Sequence, residues 1–273
     1  MVGDRRFDGR TALVTGAGSG FGRATAVALA REGAATVALL ERYEDRLAAV
    51  CDEVERLGAR ALPLAVDLRN AGDARHAVAR ALDEAGPLDI LISNHAVLVK
   101  PVPFLDSTDE DWALEMEVNL SSHYVIAREV ARAMRDSGRG GTIAFTASVN
   151  ALGASRGCAA YCATKAGLVA LMQVMAIELA PHGIRVNCVS PGPADTQRSV
   201  DLVGEATMRR LRASFPAAPL NRLATADDVA QAFLYLASDA AAYVTGHNLV
   251  VDGGLSAMLY EVPDAGRTDA SDA

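Results

Sequence analysis

The chain has 273 residues, of which 51% are hydrophobic and 22% charged, and a net charge of −8. Length and composition suit one α/β domain with a sizeable core and exclude a disordered or fibrous chain. The acidic balance argues against nucleic acid and anionic membrane as partners.

Cys51, Cys158, Cys162 and Cys188 form no CxxC pair, and no zinc-type spacing appears. They read as small apolar packing residues in a reducing compartment, with no metal site expected. Residues 1–10 are polar and lack the apolar core of a secretion signal. No apolar run reads as long and unbroken enough to cross a bilayer. Together these lead to the expectation of a cytoplasmic protein without membrane contact.

In chain order, residues 11–15 (TALVT) form a short apolar, β-rich run and predict a first strand. Gly16-Ala17-Gly18-Ser19-Gly20-Phe21-Gly22 follows, then an alanine-rich helical pattern over 23–31 that ends near Gly33. Strand, glycine loop and helix in that order make a phosphate-binding turn. The glycines permit close approach of a pyrophosphate, and the helix N-terminus offers free N–H groups. Gly16, Ser19, Gly20, Phe21 and Gly22 are therefore candidate dinucleotide contacts.

Residues 36–40 (TVALL) predict the second strand, which runs into Glu41, nineteen residues after Gly22. An acidic residue there accepts hydrogen bonds from an adenosine ribose and repels a 2′-phosphate, which favours NAD over NADP. Arg42, next in sequence, pulls the other way. Ser19 is neutral where a phosphate-binding Arg or Lys would sit. A helix over 42–57 and a third strand over 60–66 lead to Asp67 and Leu68, candidate contacts for the adenine. A helix over 70–85 stops at Gly86-Pro87, and a fourth buried strand over 88–93 leads into Asn94-His95-Ala96.

A helix start is expected at 107–111, with Ser107 or Thr108 as cap and acidic residues in the first turn. That helix is expected to run to Met134 with Asn119 in its middle, bonded to backbone or water inside. Residues 141–146 (GTIAFT) predict the fifth strand, with Ser148 just past it. A helix over 159–180 and a sixth strand over 184–189 follow, then Pro191-Gly192. Residues 194–224 mix charge with scattered apolar positions and read as a mobile lid or substrate loop. A helix over 227–236, a last strand over 248–251 and a polar tail over 261–273 complete the chain. Strands alternate with helices throughout residues 1–260. The expected fold is α/β: a single-domain doubly wound parallel sheet with helices on both faces.

Tyr161 and Lys165 stand four apart within the helix over 159–180, so both side chains leave one face. An ammonium beside a phenol favours the phenolate and makes the pair a general base. Ser148, thirteen residues before Tyr161, offers a hydroxyl to a substrate oxygen. The glycine loop, Glu41, Asp67, Asn94, Ser148 and Pro191-Gly192 all fall just past strand ends, where an open parallel sheet binds its ligand.

Over roughly 7–258, these residues resemble the short-chain dehydrogenase/reductase family. The resemblance rests on 15–22, Asp67, Asn94, Asn119, Ser148, Tyr161, Lys165 and Pro191-Gly192 with Thr196. It implies a Rossmann-type fold, nicotinamide-dependent interconversion of a secondary alcohol and a ketone, and a homotetramer or dimer. It also implies roles. Tyr161 would exchange the proton, Lys165 would lower its pKa and bond the nicotinamide ribose, and Ser148 would polarise the substrate oxygen. Asn119 would hold a water linking Lys165 to solvent, and Ala194 and Thr196 would contact the nicotinamide carboxamide.

One departure from the family pattern is His95-Ala96 in place of Ala-Gly, with His95 expected to pack rather than react. Arg156 is a candidate partner for an acidic substrate, although a solvated loop position is the plainer reading. The alternative to an enzyme is a dinucleotide-binding sensor or scaffold without turnover. An enoyl reductase is disfavoured by the short Tyr161–Lys165 spacing, and a halohydrin-cleaving relative by the intact glycine loop.

Overall fold

A computed structural model describes residues 5–258; the 261–273 tail lies outside the described residues. The first half of the chain alternates strictly between strand and helix. It runs through β1 (Thr11–Thr15), α1 (Gly20–Arg31), β2 (Thr36–Glu41), α2 (Glu44–Arg56), β3 (Arg60–Ala65), α3 (Ala71–Ala85) and β4 (Ile90–Ser93). The second half holds α4 (Asp109–Met116), α5 (Ser122–Ser137), β5 (Gly141–Thr146), α6 (Ala159–Leu179) and β6 (Ile184–Pro191). It closes with α7 (Gln197–Val203), α8 (Glu205–Ala213), α9 (Ala226–Ala237) and β7 (Asn248–Val251).

The strands form one seven-stranded sheet in the order β3-β2-β1-β4-β5-β6-β7, with every neighbouring pair parallel. β1, β2 and β4 are buried almost end to end, because helices cover both faces of the sheet. One apolar layer joins α1, α2 and α9 to the sheet through residues such as Leu29, Val50 and Phe233. The other joins α3, α5 and α6 through Val78, Ile126 and Leu168. The chain reverses its winding between β1 and β4, which opens a crevice at the carboxyl ends of those strands.

The structure differs from expectation in three places. The helix expected over 107–134 is interrupted: Thr108 caps α4 by accepting from the Asp111 N–H, and a π-helical turn, Glu117–Ser121, precedes α5. Residues 194–224 are not one open loop but contain α7 and α8, hinged at Gly204, where φ is 81°. Their apolar period is diluted by arginines and acids that pair on the outer surface, which hid the helices from a hydrophobicity reading. Finally, the helical stretch Ala159–His182 is long and apolar enough by composition to cross a membrane. It lies instead against the sheet, burying Thr164, Lys165, Leu168, Met172 and Ala176.

Candidate active site

A cleft of about 750 Å³ runs along the carboxyl edge of the sheet. Its wall includes Gly16, Ser19, Gly20, Phe21, Glu41, Arg42, Asp67, Leu68, Asn94, Ser148, Tyr161, Lys165, Pro191, Gly192, Ala194 and Thr196. Residues far apart in sequence thus meet in one concave surface. Gly22 lies just beneath it and Asn119 just behind it.

At one end the loop between β1 and α1 folds tightly. A Cβ on Gly22 would stand 2.1 Å from the Gly16 carbonyl oxygen, and one on Gly16 2.9 Å from the His95 Cα. Gly16 and Gly20 also take φ of +61° and +51°, a region that favours glycine. The missing side chains leave a backbone cradle over the α1 N-terminus, and this fits a pyrophosphate.

Glu41 is buried at the end of β2. Its Oε2 accepts from Gly18 N (2.9 Å), and its Oε1 accepts from Arg42 N (2.8 Å) and Tyr43 N (3.1 Å). It is therefore a fixed carboxylate, not a solvated charge. Asp67 accepts from the Arg69 side chain and stands 3.5 Å from Arg42. The arginines, with the Arg69 hydrogen bonds first, hold its carboxyl below the usual carboxylate range.

At the other end, α6 brings Tyr161 and Lys165 against the last residues of β5. Lys165 Nζ lies 5.6 Å from the centre of the Tyr161 ring and donates to the Thr146 carbonyl oxygen at 2.7 Å. Lys165 is wholly buried, and that burial lowers its pKa to about 7, helped by the nearby Arg198 charge. Burial also raises the Tyr161 phenol above its ordinary value, against the opposing pulls of Arg198 and the Ser148 hydroxyl. Burial thus disfavours both charged forms, the ammonium of Lys165 and the phenolate of Tyr161. A lysine this deeply buried gives up much of its own charge near neutral pH, and desolvation penalises the phenolate.

Asn119, in the π turn, is fully buried and binds the Val97 backbone twice. Its Oδ1 accepts from Val97 N and its Nδ2 donates to Val97 O, each at 2.8 Å. One turn earlier, buried Glu115 accepts from Val99 N at 2.8 Å. The two side chains thus pin the strap 97–99, one wall of the cleft, and Asn119 bonds to backbone inside. Asn94 locks three elements together. Its backbone N–H donates to Thr15 Oγ1 (2.8 Å), its Nδ2 reaches Thr15 O and Gly16 O, and its Oδ1 accepts from Thr146 Oγ1 (2.9 Å).

His95 packs, as expected, but in a specific way. Its ring stacks on His123 with centroids 3.9 Å apart. Thr15 Oγ1 already accepts from the Asn94 and His95 N–H groups, so its hydrogen goes to His95 Nδ1 at 2.7 Å. His95 Nε2 therefore carries the proton and donates to Ser122 Oγ at 2.6 Å, and Ser122 passes its hydrogen to Val118 O. His123 Nε2 donates to His95 O, leaving its Nδ1 to accept from Ser93 Oγ at 2.7 Å. Burial lowers the His95 pKa to about 3 and holds His123 well below its ordinary value, so both rings are neutral.

Val97, Asn150, Ser155 and Cys158 line the reacting end, whereas Arg156, the candidate partner for an acidic substrate, does not. Sequence reading missed Arg198 on the first turn of α7, whose Nη1 crosses the cleft to donate to Ala96 O at 3.2 Å. A signal existed in Thr196, which caps α7 by accepting from the Ser199 N–H. It marks a helix whose first turn faces the cleft.

A family model described as enoyl-(acyl carrier protein) reductase matches residues 16–256. The L-rhamnose 1-dehydrogenase (NAD(P)(+)) of Sphingomonas sp. (strain SKA58) is 38% identical over 259 residues, covering 92% of this chain and 98% of that protein. The D-erythrulose reductase of Gallus gallus is 39% identical over 256 residues, covering 93% and 98%. The crystal structure of a short-chain type dehydrogenase/reductase from Mycobacterium marinum superposes with a TM-score of 0.84 at 36% identity, covering 93% of this chain and 99% of that one. The chain belongs to the short-chain dehydrogenase/reductase family. As a member of that family it is a nicotinamide-dependent oxidoreductase that interconverts alcohols and their carbonyl counterparts.

Proposed function

We propose that this short-chain dehydrogenase/reductase oxidises or reduces a secondary alcohol–ketone pair with Tyr161 as the proton-exchanging group, and that it prefers NAD to NADP. The observation that carries the reading is the meeting of Ser148, Tyr161 and Lys165 at one end of the cleft whose other end is the glycine cradle. A bound nicotinamide gives or takes the hydride. Tyr161 gives or takes the proton of the substrate oxygen, and Ser148 holds that oxygen against it. Lys165, fixed on Thr146 O, keeps a cation or a neutral amine beside the phenol according to pH. Asn119 and Glu115 hold the strap that closes this wall. Gly16, Gly20 and Gly22 admit the pyrophosphate, and Pro191, Gly192, Ala194 and Thr196 border the nicotinamide.

Two features bear on the cofactor. The fixed Glu41 carboxylate favours a free ribose over a 2′-phosphate, while Arg42 and Arg69 at the same rim soften that preference and are themselves engaged by Asp67. NAD turnover above NADP turnover is the expected outcome of a secondary-alcohol screen run with both dinucleotides in parallel. Equal or greater NADP turnover would overturn the reading of Glu41.

The outer face of α6 supports a homo-oligomer, a tetramer or dimer, because Val174 and Ile177 are 52% and 77% exposed on a helix that is apolar all round. Light scattering would then return a multiple of 28.5 kDa. A cytoplasmic location and a single catalytic domain over 1–260 complete the proposal.

A further inference from the structure

We infer that the alcohol handled by this site carries a carboxylate, and that the guanidinium of Arg198 receives it. The inference rests on the reading of Tyr161 as the reacting group. Arg198 enters the cleft from α7 and reaches the opposite lip, where a single bond of 3.2 Å to the Ala96 carbonyl is its one hydrogen bond among the described residues. A guanidinium presents several N–H donors in a fixed fork, and most of these remain unmet.

The arginines around it are treated differently. Arg212 is bound by both Asp195 and Glu205, Arg222 by Asp228, and Arg69 by Asp67. Arg198 makes no salt bridge with any described residue. Arg209 and Arg210 of α8 also make no salt bridge with a described residue, but they lie outside the cleft wall, whereas Arg198 stands in it without an acid.

The acids nearest the reacting end do not meet this guanidinium. Glu115 accepts from Val99 N, and Asp201, on the cleft wall, accepts from the Gln197 side chain; neither ion-pairs with Arg198 among the described residues. The planar fork matches a carboxylate in two-point contact, which fixes orientation as well as charge. Arg198 lines the same cleft as Tyr161 and Lys165. One compact or ring hydroxy acid can therefore present its carboxylate to Arg198 and its carbinol to Tyr161. Val97, Leu98 and Cys158 supply the apolar wall for the carbon frame.

The test compares 3-hydroxycyclohexanecarboxylate with its primary amide as substrates, and cyclohexanecarboxylate with its amide as dead-end ligands of the NADH-loaded protein. Wild type is expected to favour the acid over the amide by about threefold or more in both kcat/KM and Kd, the yield of a charge-assisted pair at an exposed arginine. Arg198→Gln is expected to bring both ratios close to one, and Arg198→Lys to restore part of the preference. NADH affinity, read by fluorescence, is expected to stay within about twofold in either variant.

An acid-to-amide ratio near one in wild type, whether in turnover or in binding, would overturn the inference. So would an Arg198→Gln variant that binds NADH much more weakly while keeping its acid preference, because Arg198 would then serve the dinucleotide phosphates. The underlying reading fails separately: undiminished turnover of both substrates by Tyr161→Phe removes the base and leaves the binding ratios unaffected.

Discussion

Two buried polar clusters flank the same crevice and are built on opposite terms. Around His95, every donor has an acceptor: Thr15, His95 and Ser122 pass hydrogens in one direction to Val118 O, while Ser93 and His123 are closed on His95 O. Around Tyr161, the accounting is open. Lys165 spends one donor on Thr146 O, Ser148 accepts from Asn150 N, and both hydroxyl-bearing side chains face the cleft. Buried polar groups that satisfy one another hold a structure, whereas those left with unspent donors beside a cleft are equipped to meet a ligand. The perturbed ionisations follow the same division. Burial makes the histidines neutral and inert through the physiological range, yet it sets Lys165 to titrate near pH 7, where a small change of surroundings alters its charge.

The largest way to break this contrast is Tyr161→Phe. Losing a general acid–base group lowers turnover by roughly 10²–10⁴-fold, while melting temperature and NADH binding stay close to wild type. A variant that kept its turnover would place the chemistry elsewhere. His95→Ala should behave in the opposite way. It leaves the Thr15 hydroxyl hydrogen without an acceptor and removes the donor to Ser122 Oγ, at about 1–3 kcal/mol of stability for each group left unpaired. Denaturant unfolding would read that loss directly, and His95→Gln, which keeps one donor and one acceptor, should recover part of it.

The pH dependence spreads its effects over several units. His95 and His123 have folded-state pKa values below their unfolded values, so the unfolded chain takes up protons first as pH falls. Stability should decline below about pH 6.5, by up to ~1.4 kcal/mol per unit for each histidine. For His95 the window closes near pH 3. Lys165 is also depressed, so its contribution is a penalty that is full below pH 7 and is relieved as pH rises toward the unfolded lysine value near ~10.4. Lys165→Met should therefore flatten the stability profile on the alkaline side alone, and His95→Gln on the acid side alone. Identical slopes in all three proteins would erase the contrast between the two clusters.

Much of the dinucleotide end was legible from local order. A strand, a glycine-rich turn and a helix are contiguous in sequence, and the steric reason for Gly22 is a neighbour six residues away, Gly16. Glu41, Asp67 and Asn94 were found because each follows a recognisable strand. The lid was not legible. Arg212 of α8 pairs with Asp195 on the segment before α7, and such a pair leaves no periodic trace. Arg198 escaped, and Arg156 attracted attention it did not merit, because sequence distance does not tell which arginine turns inward. The break at Glu117–Ser121 also carries no local signal, since no proline or glycine marks it.

The order of strands and helices, the cradle glycines and the helical spacing of Tyr161 and Lys165 were determined by sequence alone, because each depends on backbone rules that act over a few residues. Which groups remain neutral, which carry charge and which donors are left over was decided only by the assembled tertiary structure. Ionisation and hydrogen-bond satisfaction depend on burial and on partners drawn from many strands, and neither exists until the sheet has closed and α6 has packed against it.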